Sequence, residues 1–295
     1  MPAATAAAAP ARLTPRPFGR TGLTVSPLGL SAFSFGPHGL PQRGARLGPA
    51  DAERAFYEHG ITTFFVSPLM AGLIEGLQRL IRAGHRDELC IVSGGGIPTG
   101  WGVRRACEKL LRTLGTDRLE VWLMGWVRAR WHVGGKTWPT MRRLKEEGKA
   151  RAIGFSCHDR PLALALGREL AVDVMMLRYN AAHRGVEREV FAQLGADRPA
   201  IISYTATRWG NLLQPLPQKG FPRGMTGPEC YRFVLANPCV DVALCAATTP
   251  AELGEDVAGV LAGPLDPARL EEVRRFGDAV HAAARGGVRF MFRQG

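Results

Sequence analysis

The chain has 295 residues, 46% of them hydrophobic and 22% charged, with a mean hydropathy of -0.05. That is apolar mass enough for one barrel-sized domain or two smaller ones, and no apolar stretch reaches the roughly 20 residues that cross a bilayer. The net charge is +12, but Arg12, Arg16, Arg20, Arg43 and Arg46 near one end and Arg285, Arg289 and Arg293 near the other carry most of the excess, so no single basic surface suits a nucleic acid.

In chain order, apolar runs at residues 25–30, 61–66, 89–92, 119–124, 152–155, 172–177, 200–204 and 240–244 predict strands. Most are continuous rather than alternating, the pattern of strands buried on both faces. Helices are predicted between them at 49–59, 73–83, 102–114, 138–147, 161–170, 187–194, 227–236 and 250–261, with a further terminal helix over 269–281 packed on the outside. Eight strands alternating with eight helices give an α/β fold, a (β/α)8 TIM barrel. A doubly wound sheet competes, but no Gly-x-Gly-x-x-Gly follows an early strand. The Ala/Pro-rich residues 1–16 are expected to be a disordered tail, 17–285 one domain, and 286–295 a basic tail. Six cysteines without zinc spacing fit a reduced, cytoplasmic protein with no metal site.

In such a barrel the reacting groups follow the carboxyl ends of the strands. The fifth run opens onto Ser156, Cys157, His158, Asp159 and Arg160. The sixth opens onto Arg178, Tyr179, Asn180, His183 and Arg184, and the seventh onto Tyr204, Thr205, Thr207 and Arg208. This convergence of cations and donors suits an anionic small molecule such as a phosphate or carboxylate, although Arg178 and Arg184 could instead pair with Asp159 or Glu187. Tyr204 can stack on a flat cofactor ring, and the Thr-rich turn after it offers donors to phosphates. Trp126, Trp131 and Trp138 form an aromatic stretch after the fourth run, a substrate wall or a solvated loop.

Seven segments in register, FGRTGLTVSPLGLSAFSFG, HGITTFFVSPLMAG, LRTLGTDRLEVWLMGW, LKEEGKARAIGFSCH, LRYNAAHRGVE, ISYTATRWGNLL and ALCAATTPAELGED, resemble the aldo-keto reductases, with an N-terminal hairpin before the barrel. The resemblance implies an NADP(H)-dependent oxidoreductase acting on a small carbonyl or alcohol. It also implies that Tyr204 stacks on nicotinamide and that Ser156 holds the carboxamide. Cys157 stands at the asparagine position and Met176 at a glutamine position. Thr205, Thr207 and Arg208 follow as cofactor contacts, and the acidic stretch after Pro250 replaces the family's basic residue for the 2′-phosphate.

The family's catalytic tetrad does not carry over. Its aspartate position is Phe65 or Val66, its tyrosine Met70, its lysine Ser93 and its histidine Gly125. Phe65, Met70 and Gly125 cannot exchange protons, so a non-standard acid is expected. His183 or Tyr179 is the expected acid, with Arg178 or Arg184 orienting the substrate. A catalytically silent binding protein and a non-redox lyase or isomerase on the same barrel stay open as alternatives.

Overall fold

The computed structural model describes residues 12–31 and 48–286. The outer parts of both expected tails, with Arg43 and Arg46, lie outside the described residues. Residues 12–16, read from the sequence as the end of the tail, are tied to the fold: the Arg12 guanidinium donates to the Phe56 carbonyl at 2.8 Å and the Leu13 N–H to that of His59 at 3.0 Å.

An antiparallel hairpin, β1 (Arg16–Pro17) and β2 (Thr24–Val25), comes first. Eight parallel strands then close a barrel: β3 (Leu28–Ser31), β4 (Thr63–Val66), β5 (Cys90–Gly94), β6 (Leu119–Val127), β7 (Ala150–Cys157), β8 (Val174–Arg178), β9 (Ala200–Tyr204) and β10 (Val242–Cys245), which returns to β3. The apolar run at 25–30 therefore spans two elements. Pro27 has no N–H for a ladder, and the Ser26 hydroxyl donates to the Leu28 carbonyl at 2.8 Å while accepting the N–H groups of Thr62 and Thr63, so the chain turns there.

Around the barrel stand α1 (Pro49–Tyr57), α2 (Ala71–Arg82), α3 (Gly100–Leu114), α4 (Thr137–Glu146), α5 (Arg160–Glu169), α6 (Gly185–Glu189), α7 (Gly227–Leu235) and α8 (Pro250–Leu261). Local chemistry sets their ends: Thr99, Asp159, Thr226 and Thr249 each cap a helix N-terminus through a side-chain oxygen. The helix expected over 187–194 is shorter, α6 followed by a 3-10 turn at Phe191–Gln193.

Period-two alternation sorts the strand side chains into two cores. Cys90, Val92, Val121, Leu123, Ala152, Val174, Met176, Ala200, Ile202, Val242 and Leu244 fill the interior, closed below by Phe18, Leu23 and Val25 of the hairpin. The alternate residues, such as Ile91, Trp122, Phe155 and Ile201, pack under the helices.

At the lower end of the barrel three carboxylates repeat one arrangement, each accepting a strand N–H and pairing with a base. Glu120 takes Ile91 N–H and Arg86, Asp173 takes Ile153 N–H and Lys145, and Asp241 takes Ile201 N–H and Arg198. These clasps lie at the end opposite the polar residues.

The terminal helix α9 (Pro267–Gly286) does not simply lie outside. It packs on the loops after β8 and β9: Arg184 pairs with Asp278 at 2.5 Å, and Arg208 donates to the Val280 carbonyl at 3.1 Å. A Cβ at Gly277 would lie 2.2 Å from the Ala181 carbonyl oxygen, so glycine permits this approach.

Candidate active site

Alternation along β7, β8 and β9 brings Ser156, Met176, Arg178 and Tyr204 to the upper mouth of the barrel, continuing the inward rows of Ala152, Val174 and Ile202. Ser156 is buried, and its Oγ accepts the Trp126 N–H at 2.8 Å, which leaves its own O–H as a donor. Just past β7, His158 stands edge-on to Tyr204, with the tyrosine Oη 3.0 Å from Nδ1. Arg178 acts electrostatically on both rings. Burial, followed by Arg178 and Arg128, pushes His158 down to about 4. Burial drives the Tyr204 phenol well above its ordinary value, and Arg178 pulls the other way. At neutral pH the pair is therefore an uncharged imidazole beside an uncharged phenol, with the Arg178 charge acting on both.

The segment after β9 is strained. Thr205, Arg208 and Trp209 adopt φ of 58°, 51° and 53° before Gly210 at 81°, and a β-branched residue in this region is unusual. Tertiary bonds hold it: Asn180 Nδ2 and Arg208 N–H both donate to the Thr205 carbonyl at 2.8 Å, and Asn211 Nδ2 donates to the Arg208 carbonyl. Arg208 is buried, and its Nε has no hydrogen-bond partner among the described residues. The Thr205 hydroxyl donates to its neighbour's carbonyl, and Thr207 Oγ1 accepts the Gly210 N–H at 3.4 Å.

Four residues expected at the site stand elsewhere or in another state. Tyr179 is buried in the outer core against Phe191 and Phe233 and donates to Glu187 at 2.5 Å, so its hydroxyl faces away from the mouth. Arg184 is engaged with Asp278. The side chain of Cys157 belongs to the outer core, and burial pushes its thiol up to about 12. His183 is half-buried, with Nδ1 3.2 Å from Asn180 Oδ1. Burial and then Arg178, Arg208, His281 and Arg160 push it down to about 2, the opposite of the near-neutral acid expected. His158, which the sequence reading left out of the catalytic set, stands instead at the mouth beside Tyr204. Its signal is the spacing, since it follows Ser156 by two residues.

The same alternation sorts the residues across the mouth. Phe65 packs against both cores whereas Val66 faces outward. Ser93 is also outward and buried, donating to the Val66 carbonyl at 2.7 Å, so the inward residue at its level is Gly94. A Cβ on Gly94 would lie 2.5 Å from the Leu123 carbonyl oxygen. Among the described residues a Cβ at Gly125 would meet only Gly95, at 3.7 Å, and Met70 is buried in the outer core.

Comparison with known proteins agrees with this architecture. The family model described as "Aldo/keto reductase family" matches residues 54–214. No curated protein matches. A Pseudomonas aeruginosa protein assigned as an aldo-keto reductase is 28% identical, covering 84% of this chain and 94% of its own, with a TM-score of 0.64. A Bacillus halodurans aldo-keto reductase in its holo form is 19% identical, covering 91% and 96%, with a TM-score of 0.66. One from Klebsiella pneumoniae, solved in complex with NADPH, is 22% identical, covering 88% and 94%, with a TM-score of 0.65. With a match across more than half its length and a closed barrel carrying a polar mouth, the chain belongs to the aldo/keto reductase family.

Proposed function

We propose that this chain is an oxidoreductase of aldo-keto reductase type that binds NADP(H) at the barrel mouth and interconverts a small anionic carbonyl compound and its alcohol, using an acid outside the family's tetrad. The observation that carries the reading is the convergence of Ser156, Tyr204 and Arg178 at one end of the barrel. The Klebsiella relative's NADPH complex supports the cofactor assignment.

The chain's own groups suit the cofactor at one end. Tyr204 offers a ring for the nicotinamide and Ser156 an O–H for its carboxamide, while Met176 supplies only apolar surface. The orphaned Arg208 Nε, on a segment with two further left-handed residues, is a donor matched to a phosphate oxygen. The other end is less favourable: at the start of α8 the Glu252 carboxylate takes both the N–H and the hydroxyl of Thr248 at 2.7 Å, so its negative charge stands where a phosphate would approach. When bound, NADPH supplies the hydride that turns a carbonyl into an alcohol.

Arg178, a buried cation with five donors, is the group that would draw a carboxylate or phosphate of the substrate inward. Among the tetrad positions Phe65, Met70 and Gly125 have no exchangeable side-chain proton, and the strand at Gly94 has closed where an inward lysine would stand. That closure also favours a second reading, a barrel that binds cofactor without turning over.

Thermal unfolding with added NADPH, followed by assay against a panel of neutral and anionic aldehydes and ketones, tests the proposal. At a hundredfold excess over Kd the ligand adds about 2.7 kcal/mol of stability. Stabilisation with turnover supports the oxidoreductase, stabilisation without turnover of any carbonyl favours the silent barrel, and no shift at millimolar NADPH rejects both.

A further inference from the structure

We infer that the cavity between α5 and residues 193–199, at the closed end of the barrel, is a second binding site, for a small carboxylate that carries one ring or a short alkyl chain. The inference goes beyond the NADP(H) reading and does not depend on it, because the cavity meets β8 and β9 at their starts, Met175 and Pro199, and the mouth lies at their other ends.

Size limits the ligand first. The cavity holds about 220 Å³, more than the roughly 150 Å³ that seats a benzene ring in a protein interior. It is smaller than the roughly 300 Å³ at which pockets for drug-sized molecules begin. One ring or a short chain fits, and a nucleotide does not. The floor that would receive this body is apolar: Leu164 of α5, the buried Met175 of β8 and Leu194 beyond the 3-10 turn. A Cβ on Gly167 would lie 2.9 Å from Met175 Sδ, so glycine at that turn of α5 lets the methionine lie against the helix.

Charge then selects the head group. Three guanidinium groups line the cavity, each from a different element: Arg20 from the hairpin turn, Arg168 from the last turn of α5 and Arg198 from just before β9. Asp241 holds Arg198 from behind at 2.7 and 2.8 Å. The other two are engaged more loosely. Arg20 crosses the rim, donating to the carbonyls of Val172 at 3.1 Å and Asp197 at 3.2 Å. Arg168 donates to Gln193, to its carbonyl at 3.4 Å and to its Oε1 at 3.5 Å. Asp197 is the one carboxylate among the described residues that line the cavity; it is 84% exposed and lies 3.4 Å from Arg20.

A guanidinium paired with a carboxylate closes to about 2.7–2.9 Å. Arg20 and Arg168 therefore make long bonds, mostly to neutral acceptors, across an opening where an entering carboxylate is a better partner for both. A cation is repelled by three guanidinium groups facing one carboxylate. A bare inorganic anion leaves the Leu164, Met175 and Leu194 surface in water, and a neutral ring leaves the guanidinium groups with the partners they already have. An acid with an apolar body satisfies both halves of the cavity at once.

Crystals of the full chain soaked with 4-bromobenzoate, together with calorimetric titration of the same probe in solution, test the inference. The expected anomalous bromine peak lies over Met175 between α5 and residues 193–199, and the expected Kd is on the order of millimolar for a ligand of this size. 4-Bromobenzamide, of the same shape without the charge, and acetate, with the charge but no ring, are each expected to bind at least about tenfold more weakly. Arg168→Gln changes an exposed side chain and is expected to weaken 4-bromobenzoate about fivefold, with NADPH affinity unchanged. Arg178→Gln, at the mouth, is expected to leave the bromine peak in place. A bromine peak at the mouth alone, equal affinity for the acid and its amide, or no saturable binding of the acid overturns the inference. None of these outcomes bears on NADPH binding, so the cofactor reading stands or falls separately on its own titration.

Discussion

Asp256 on α8 is buried among groups that do not neutralise it. Cys245 Sγ donates to its Oδ2 at 3.3 Å, and Oδ1 would lie 2.5 Å from a Cβ on Gly227. Burial first, with Glu252 and Glu255 adding to it, pushes its carboxyl from 3.8 up to about 7. Between these values the folded chain holds a proton that the unfolded chain has lost, so stability falls as pH rises from about 4 to about 7 and levels off above. The linkage is worth about 4 kcal/mol at most. Asp256→Asn is predicted to flatten this slope and to exceed the parent in stability at pH 8; urea unfolding at pH 5 and pH 8 reads both, and parallel profiles would remove Asp256 as the cause. Arg208 Nε makes the complementary case, a buried donor without a partner among the described residues. Arg208→Met is predicted to weaken NADPH binding about tenfold, in line with a charge-assisted hydrogen bond, and to cost the unliganded protein about 1 kcal/mol through the lost bond to the Val280 carbonyl. Equal NADPH affinity in a fluorescence titration would detach Arg208 from the cofactor.

Among the elements, α8 and the lower clasps carry the clearest consequences. The Glu252 carboxylate at the first turn of α8 opposes a nearby phosphate by about 1 kcal/mol in solvent. Glu252→Gln is accordingly predicted to tighten NADPH about fivefold with little effect on NADH, and calorimetric titration with both nucleotides checks it. At the opposite end Asp241 holds Arg198 in two hydrogen bonds, at 2.7 and 2.8 Å, and Ile201 N–H in a third at 2.7 Å. Asp241→Ala would leave the half-buried Arg198 guanidinium only its backbone partners, the carbonyls of Pro199 and Pro238, and the buried Ile201 N–H without its acceptor, and a loss of about 2 kcal/mol is expected in equilibrium unfolding. A loss under 1 kcal/mol would mean that the three clasps share the load.

Strands and helices were legible in the sequence because each barrel strand is a nearly unbroken apolar run and four of the helices start at a recognisable cap, Thr99, Asp159, Thr226 or Thr249. Which way the last residue of a strand points was not. A single step in register moves a side chain from the mouth to the outer core. That step separates Ser156 from Cys157, Arg178 from Tyr179, and Gly94 from Ser93. His183 illustrates a different gap: its residue type suggests titration near neutrality, but the arginines that suppress it come from β8, α5 and the segment after β9, which only the fold assembles. The α9 contacts were hidden for the same reason, since a terminal helical pattern does not reveal which loops it covers.

For the molecule as a whole, the carboxylate clasps lie at the closed lower end, while strained backbone, the Arg208 Nε that has no partner among the described residues and a neutral tyrosine–histidine pair collect at the upper one. Fluorescence titration of the full chain with NADPH, compared between parent, Tyr204→Phe and Tyr204→Ala, measures whether that upper end is a nicotinamide site. Saturable binding by the parent and Tyr204→Phe, with at least a tenfold weaker Kd for Tyr204→Ala, is the predicted result. Equal affinity in all three would contradict it, as would no saturation of the parent at millimolar NADPH.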